Sequence, residues 1–196
     1  MAKPTAAAKQ PRSSARDRFV AMAAKLMSRR GYAGTGLNEI VEKSGAPKGS
    51  LYHYFPDGKE QLAAAAVAWA SARFMATLRD ELAASVTVAE AVGNLADTIA
   101  GWLEASKFRD GSPLTIVAVE TGPFIEALRL ACAAGYRDWA DAIADALRAE
   151  GRKPAEAADL ALLAVTSLEG AVILARTRHS AEPLRQIGRL LKRSLK

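Results

Sequence analysis

A single cysteine, Cys132, in 196 residues rules out a framework of internal disulfides. It lies on an apolar helical stripe, where it reads either as a small core residue or as a reactive thiol. Histidine is almost as scarce. His53 and His179 stand far from each other and from the cysteine, so there is no metal-ligand spacing and no case for zinc catalysis. Aromatic residues make up only 6% of a chain that is 50% hydrophobic, and abundant alanine suits closely packed helices. No alternating run is long enough for a useful β-strand. The longest apolar stretch, Leu160 to Ala175, is short of a bilayer span and carries Glu169, so it predicts a buried helix and no membrane partner. The first residues lack the apolar core of a signal peptide, which with the lone cysteine points to a reducing cytoplasm. Gly31, Gly34 and Gly36 superficially suggest a phosphate loop, but they follow a helix rather than a strand. They read as a helix stop and a turn, leaving no nucleotide cofactor and no catalytic residue.

What is present is unevenly spread. Residues 1 to 60 hold 11 Lys and Arg against 5 Asp and Glu, whereas residues 61 to 196 hold 16 of each. The whole net charge of +6 therefore lies in the first third, as a partner polyanion would require. Residues 1 to 12, rich in Ala, Lys and Pro, read as a mobile basic arm. Ser13 or Ser14 caps a first helix with Phe19, Val20, Ala23, Leu26 and Met27 inward, ending at Gly31. Leu37, Ile40 and Val41 fall at i, i+3, i+4 on a second helix, which Ser44-Gly45-Ala46-Pro47 stops. Pro47 then suits the first turn of a third, about two turns long. Its outward residues Lys48, Gly49, Ser50, Tyr52 and His53 are small, basic or hydrogen-bonding, types that suit phosphates and base edges. Leu51 and Phe55 belong to the core, and Tyr54 divides between packing and DNA contact. This is a helix-turn-helix head spanning residues 13 to 58.

From Lys59 the pattern is helical throughout, predicting an all-α chain with one long helix linking the head to a second domain at 59 to 196. That link runs to about Leu82 and carries Leu62, Ala65, Ala66, Trp69, Phe74 and Leu78. Thr87 caps a helix to about Phe108 with Val92, Leu95, Ile99, Trp102 and Leu103 inward. Pro113 opens a short helix to Glu120. Pro123 opens a long one to Glu150, striped by Ile125, Leu128, Cys132, Tyr136, Trp139, Ile143 and Leu147. Pro154 to Arg178 is apolar on most faces, and Ala181 to Lys196 repeats Leu184, Ile187, Leu190, Leu191 and Leu195. A helix needing cover on several sides beside an exposed amphipathic one predicts a homodimer interface through residues 154 to 196.

The head resembles the TetR family of bacterial transcriptional repressors. The likeness rests on Gly31-Tyr32, Thr35, Glu39-Ile40, the run Ser44 to Phe55 and Lys59-Glu60-Gln61-Leu62, and covers roughly residues 14 to 65. The strings Phe55 to Leu62 and Gly111 to Ala118 are more narrowly similar to the LmrA/YxaF-like branch, whose members include repressors of drug-efflux and other small-molecule response genes. The resemblance implies that Pro47, Lys48, Gly49, Ser50, Tyr52 and His53 meet double-stranded operator DNA, with Thr35 and Lys59 on flanking phosphates. Gly36 departs from the pattern, since many relatives place Ser or Thr there. The helix survives, but its phosphate-binding hydroxyl is missing or moved to Thr35.

The second domain offers Trp69, Trp102, Phe124, Leu128, Tyr136 and Trp139 as candidate walls of an effector cavity, or as plain core. Glu120 ends an apolar helix and Glu169 interrupts another. Each needs an arginine partner or a polar or cationic ligand. The resulting expectation is a homodimeric repressor released by a small apolar or aromatic effector. The alternative is a nucleoid-type DNA-binding dimer with no ligand.

Overall fold

The computed structural model describes residues 14–196; the arm expected at 1 to 12 lies outside them. They form nine α-helices and no strand among the described residues: α1 (Ala15–Arg30), α2 (Leu37–Ser44), α3 (Leu51–Tyr54), α4 (Lys59–Ala84), α5 (Val88–Ala105), α6 (Pro113–Thr121), α7 (Glu126–Ala149), α8 (Pro154–Arg178) and α9 (Glu182–Ser194). Ser14 starts α1 with a reciprocal cap, its hydroxyl accepting from Asp17 N at 3.1 Å while its own N–H donates to the Asp17 carboxylate at 3.3 Å. Phe19, Val20, Ala23 and Met27 then bury against Leu51, Phe55, Leu62, Ala66 and Val67, so the first turns of α4 complete the core of the head. The rest of α4 packs on α5 and α7 and carries the chain into the second domain.

Three boundaries differ from the sequence reading. α5 stops at Ala105 rather than near Phe108, because Lys107 and Phe108 adopt positive φ and Phe108 N turns back to Leu103 O at 2.7 Å. Pro123 does not open α7. Phe124 N and Ile125 N both return to Thr121 O, at 2.9 and 2.8 Å, so Pro123 and Phe124 form a turn and Ile125 caps the helix. The third helix is shorter than two turns: a 3-10 turn over Lys48–Ser50 leads into a single α-turn, with Pro47 just outside as its cap.

The C-terminal pair corrects an expectation about faces. Leu184, Gly188 and Leu191 of α9, and Leu195 just beyond its end, are buried within the chain, because α9 lies in the groove between α5 and α8. Most of the apolar repeat of this helix is consumed by its own protomer, Leu190 alone remaining exposed. Length and composition alone would let α8 cross a membrane, yet Ala157, Ala161, Ala164, Leu168 and Val172 are buried among neighbouring helices. Its opposite side, with Leu162, Leu163, Ile173 and Leu174, is exposed.

Leu191 is only 3% exposed. Leu191→Ala should therefore cost about 2–5 kcal/mol on chemical unfolding and leave the number of chains per particle in sedimentation unchanged. Dissociation at undiminished stability would return Leu191 to a subunit contact.

Candidate functional site

The recognition face is built by turns that leave little freedom. Gly45 closes α2 in the left-handed region at φ 61°. The Ser44 hydroxyl accepts from Ala46 N at 3.2 Å and donates to Val41 O at 2.9 Å, fixing the turn that follows. Ser50 N and its hydroxyl both donate to Pro47 O, at 3.0 and 2.7 Å. Leu51 and Phe55 point inward as anchors, so Pro47, Lys48, Gly49, Tyr52 and His53 are presented outward. Tyr52 is 65% exposed, an unusual waste of a large ring unless something covers it. Ser50 and Tyr54 are half-buried, and Tyr54 packs on the core with His53 edge-on to its ring at 5.1 Å. This face offers a cation, a phenol, an imidazole and an approachable backbone, the groups that meet phosphates and base edges.

Two residues assigned to flanking phosphates have partners within the chain. Thr35 is 1% exposed and its hydroxyl donates to Gly31 O at 2.7 Å, so it closes the turn after α1 instead of replacing the hydroxyl missing at Gly36. Gly36 caps α2 with extended backbone and no side-chain bond. Lys59 lays its ammonium 4.2 Å from the centre of the Tyr32 ring. Burial holds its pKa below the ordinary lysine value, partly offset by the nearby Glu120 charge.

Glu120 is not in the cavity either. Its carboxylate accepts from Tyr32 N and Ala33 N, each at 2.6 Å, gripping the turn at the end of α1 from the end of α6. Gly31 makes this possible: it takes φ 73°, and a side chain there would collide with the carboxylate. At the other end of α6, Gly111 N donates to Ser28 O at 2.9 Å and Arg29 pairs with Asp110 at 2.5 Å. Both ends of α6 are thus fastened to α1. The single carboxylate in an apolar helix was the available signal, but its partners lie 88 and 87 residues away.

A cavity of about 560 Å³ opens where α6 begins. Its walls include Trp69 and Phe74 from α4, Trp102 from α5, Trp139 from α7, Glu169 from α8 and Ser112 before α6. Trp69, Trp102, Trp139 and Glu169 are thereby brought together as the sequence suggested. Trp102 is not inward but 46% exposed, at the mouth. Phe124, 84% exposed in its turn, lies outside, as does Leu128, fully buried in the core. Tyr136 stands behind the wall, its hydroxyl 2.7 Å from that of Thr115, which in turn donates to Glu169. Burial raises the Glu169 pKa, against the opposing effect of hydrogen bonds from Thr115 and Ser112. The Tyr136 phenol is raised by burial and by the Glu169 charge. Cys132, buried and bonded to Leu114 O, is pushed up to about 11 and is an inert thiol at neutral pH.

Comparison with known proteins agrees with both halves. Residues 19–66 match the model of bacterial regulatory proteins of the tetR family, and residues 88–190 match that of the LmrA/YxaF-like transcriptional regulator C-terminal domain. The chain is 33% identical over 181 residues to the HTH-type transcriptional regulator LmrA of Bacillus subtilis, covering 92% of this chain and 96% of that protein. A TetR transcriptional regulator from Chloroflexus aurantiacus superposes with a TM-score of 0.76 at 32% identity, over 91% of this chain and 92% of that one. A cysteine mutant of the TetR family regulator CifR, solved with 26-bp double-strand operator DNA, superposes with a TM-score of 0.76 at 25% identity, over 94% and 98% of the two chains.

Removing the Glu120 carboxylate leaves two backbone donors without their acceptor, so Glu120→Ala should cost about 1–3 kcal/mol and speed amide exchange at Tyr32 and Ala33. Unchanged protection of those two amides would show that the grip does not persist in solution.

Proposed function

This chain belongs to the TetR family of bacterial regulatory proteins, in its LmrA/YxaF-like branch, and from that membership we propose that it is a homodimeric repressor whose grip on operator DNA is loosened by a small molecule. The observation that carries the proposal is the fastening of α6 to α1. One end of α6 borders an aromatic cavity, and the other holds the turn that leads into the helix-turn-helix. Residues 14–58 act as the reading head and 59–196 as the sensing and dimerising domain. The relative solved on operator DNA supports assigning Pro47, Lys48, Gly49, Tyr52 and His53 to the DNA, with Ser50 shaping the turn beneath them. Thr35 and Lys59 position the head instead of touching phosphates.

Dimerisation is proposed through the exposed side of α8, where Leu162, Leu163, Ile173 and Leu174 lie along one stripe, with Leu190 of α9 beside it. Two heads related by a two-fold axis then enter successive major grooves, so the operator is an imperfect palindrome. An effector that prefers the conformation with displaced heads lowers operator affinity by that preference, while one binding both states equally changes nothing. A nucleoid-type protein would have no use for the cavity. No catalytic role is assigned, and such a regulator works in the cytoplasm.

Anisotropy titration of a site selected from random DNA tests the reading head. Lys48→Ala should weaken binding and reduce the slope of log K against log salt by roughly one phosphate contact per protomer. Full affinity with an unchanged slope would remove α3 and its preceding turn as the reader. Ile173→Asp, at an exposed site, should give folded monomers that bind the palindrome poorly. A dimer of unaltered affinity would place the subunit contact elsewhere.

A further inference from the structure

The unusual member of the cavity wall is Glu169. A carboxylate facing an aromatic cavity ordinarily has an arginine or lysine within ion-pair distance, because burying an unpaired charge is costly. Among the described residues Glu169 has none: the donors reaching it are the hydroxyls of Thr115 and Ser112. Arg176, two turns further along α8, is spent on the α5–α6 connection, donating to Arg109 O at 3.3 Å and crowding Gly111. Asp110, also on the wall, is already neutralised by Arg29. Lys25 and Arg73, both exposed, also line the cavity, and the Arg73 guanidinium already lies 4.9 Å from the Trp69 ring centre; neither cation is within ion-pair distance of Glu169. Deeper in, Phe74 and Trp139 lie with centroids 4.1 Å apart and ring planes tilted at 35°, and Trp139 turns its N–H to Ser71 O at 3.3 Å.

Resting on the reading of this cavity as the effector site, we propose that its ligand is an organic cation, a protonated amine or a delocalised cation on a planar aromatic body, with Glu169 as counter-ion and the Trp69, Phe74 and Trp139 rings as its walls. The three charge classes separate on physical grounds. A neutral ligand leaves the carboxylate with the hydroxyl donors alone. An anion adds repulsion in a site of low dielectric. A cation supplies the missing opposite charge and meets ring faces that attract it. The hydroxyl chain from Tyr136 through Thr115 holds the carboxylate in place for that contact.

The test uses the full-length protein without DNA and three probes of the same fused three-ring size: 9-aminoacridine, cationic at neutral pH; acridine, neutral; and anthracene-9-carboxylate, anionic. Calorimetric titration should find the cation bound about tenfold or more tightly than acridine, with the carboxylate weakest. Glu169→Gln keeps the shape and an acceptor for Thr115, and should bring 9-aminoacridine down to the level of acridine while leaving acridine unchanged. Equal or tighter binding of acridine or the carboxylate to the wild-type protein overturns the cationic class and leaves the cavity reading standing. A preference for the cation undiminished in Glu169→Gln places it on another surface and equally overturns the assignment. Binding of none of the three overturns the cavity reading and this inference together. Should Glu169→Gln fail to fold, the ranking of the three probes on the wild-type protein decides alone.

Discussion

Two backbone N–H groups at the end of α1 find their acceptor on a helix of the other domain, and the remainder of the arrangement follows from that need. A helix followed by a sharp turn leaves polar groups that must be satisfied. Here Tyr32 and Ala33 donate to Glu120 rather than to water or to a local cap. The carboxylate can approach only because Gly31 has no side chain, and the Tyr32 ring it helps position receives the Lys59 ammonium at the start of α4. One acidic side chain thus brings the ends of α1, α4 and α6 to a single point. These bonds tie the head to α6, whose other end borders the cavity.

The same economy governs the second domain. α9 satisfies its apolar stripe against α5 and α8, which leaves α8 with one side buried, one side of exposed leucine and isoleucine, and Glu169 on a third, facing the cavity. The three sides do different things: one holds the protomer, one is the proposed contact with a second copy, and one lines the cavity. This explains why α8 is apolar nearly all round without being a membrane helix. It also puts the proposed subunit contact and Glu169, on the cavity wall, on the same helix.

Much of this was legible in the residues. The head could be read because its signals are local: Ser14 before α1, glycines at both turns, and the i, i+3, i+4 triplet Leu37, Ile40 and Val41. Trp69, Trp102, Trp139 and Glu169 were legible as a group because aromatics and a lone carboxylate on apolar faces are rare. What failed depended on distant geometry. Periodicity says that Leu184 and Leu191 face something apolar, but not whether the neighbour belongs to the same chain. Phe124 was grouped with the other aromatics of the second domain as a candidate cavity wall, whereas carbonyl capture at Thr121 makes a turn that throws the ring outward. Thr35 and Lys59 were placed by resemblance, and the turn built around Gly31 and Tyr32 claims both. Glu120 called for a partner, and nothing local could say that backbone 87 and 88 residues earlier would provide it.

The central claim is that the Glu120 grip sets the position of the reading head. Its most direct measurement is the ratio of affinity for a selected palindromic site to affinity for random-sequence DNA, at one salt concentration, in wild-type protein, Glu120→Gln and Glu120→Ala. The account predicts that the ratio falls about tenfold in Glu120→Ala and less in Glu120→Gln, which keeps an acceptor. The salt slope should not change, because no phosphate contact is lost. An undiminished ratio in Glu120→Ala, in a protein whose Tyr32 and Ala33 amides have become exchangeable, would contradict it.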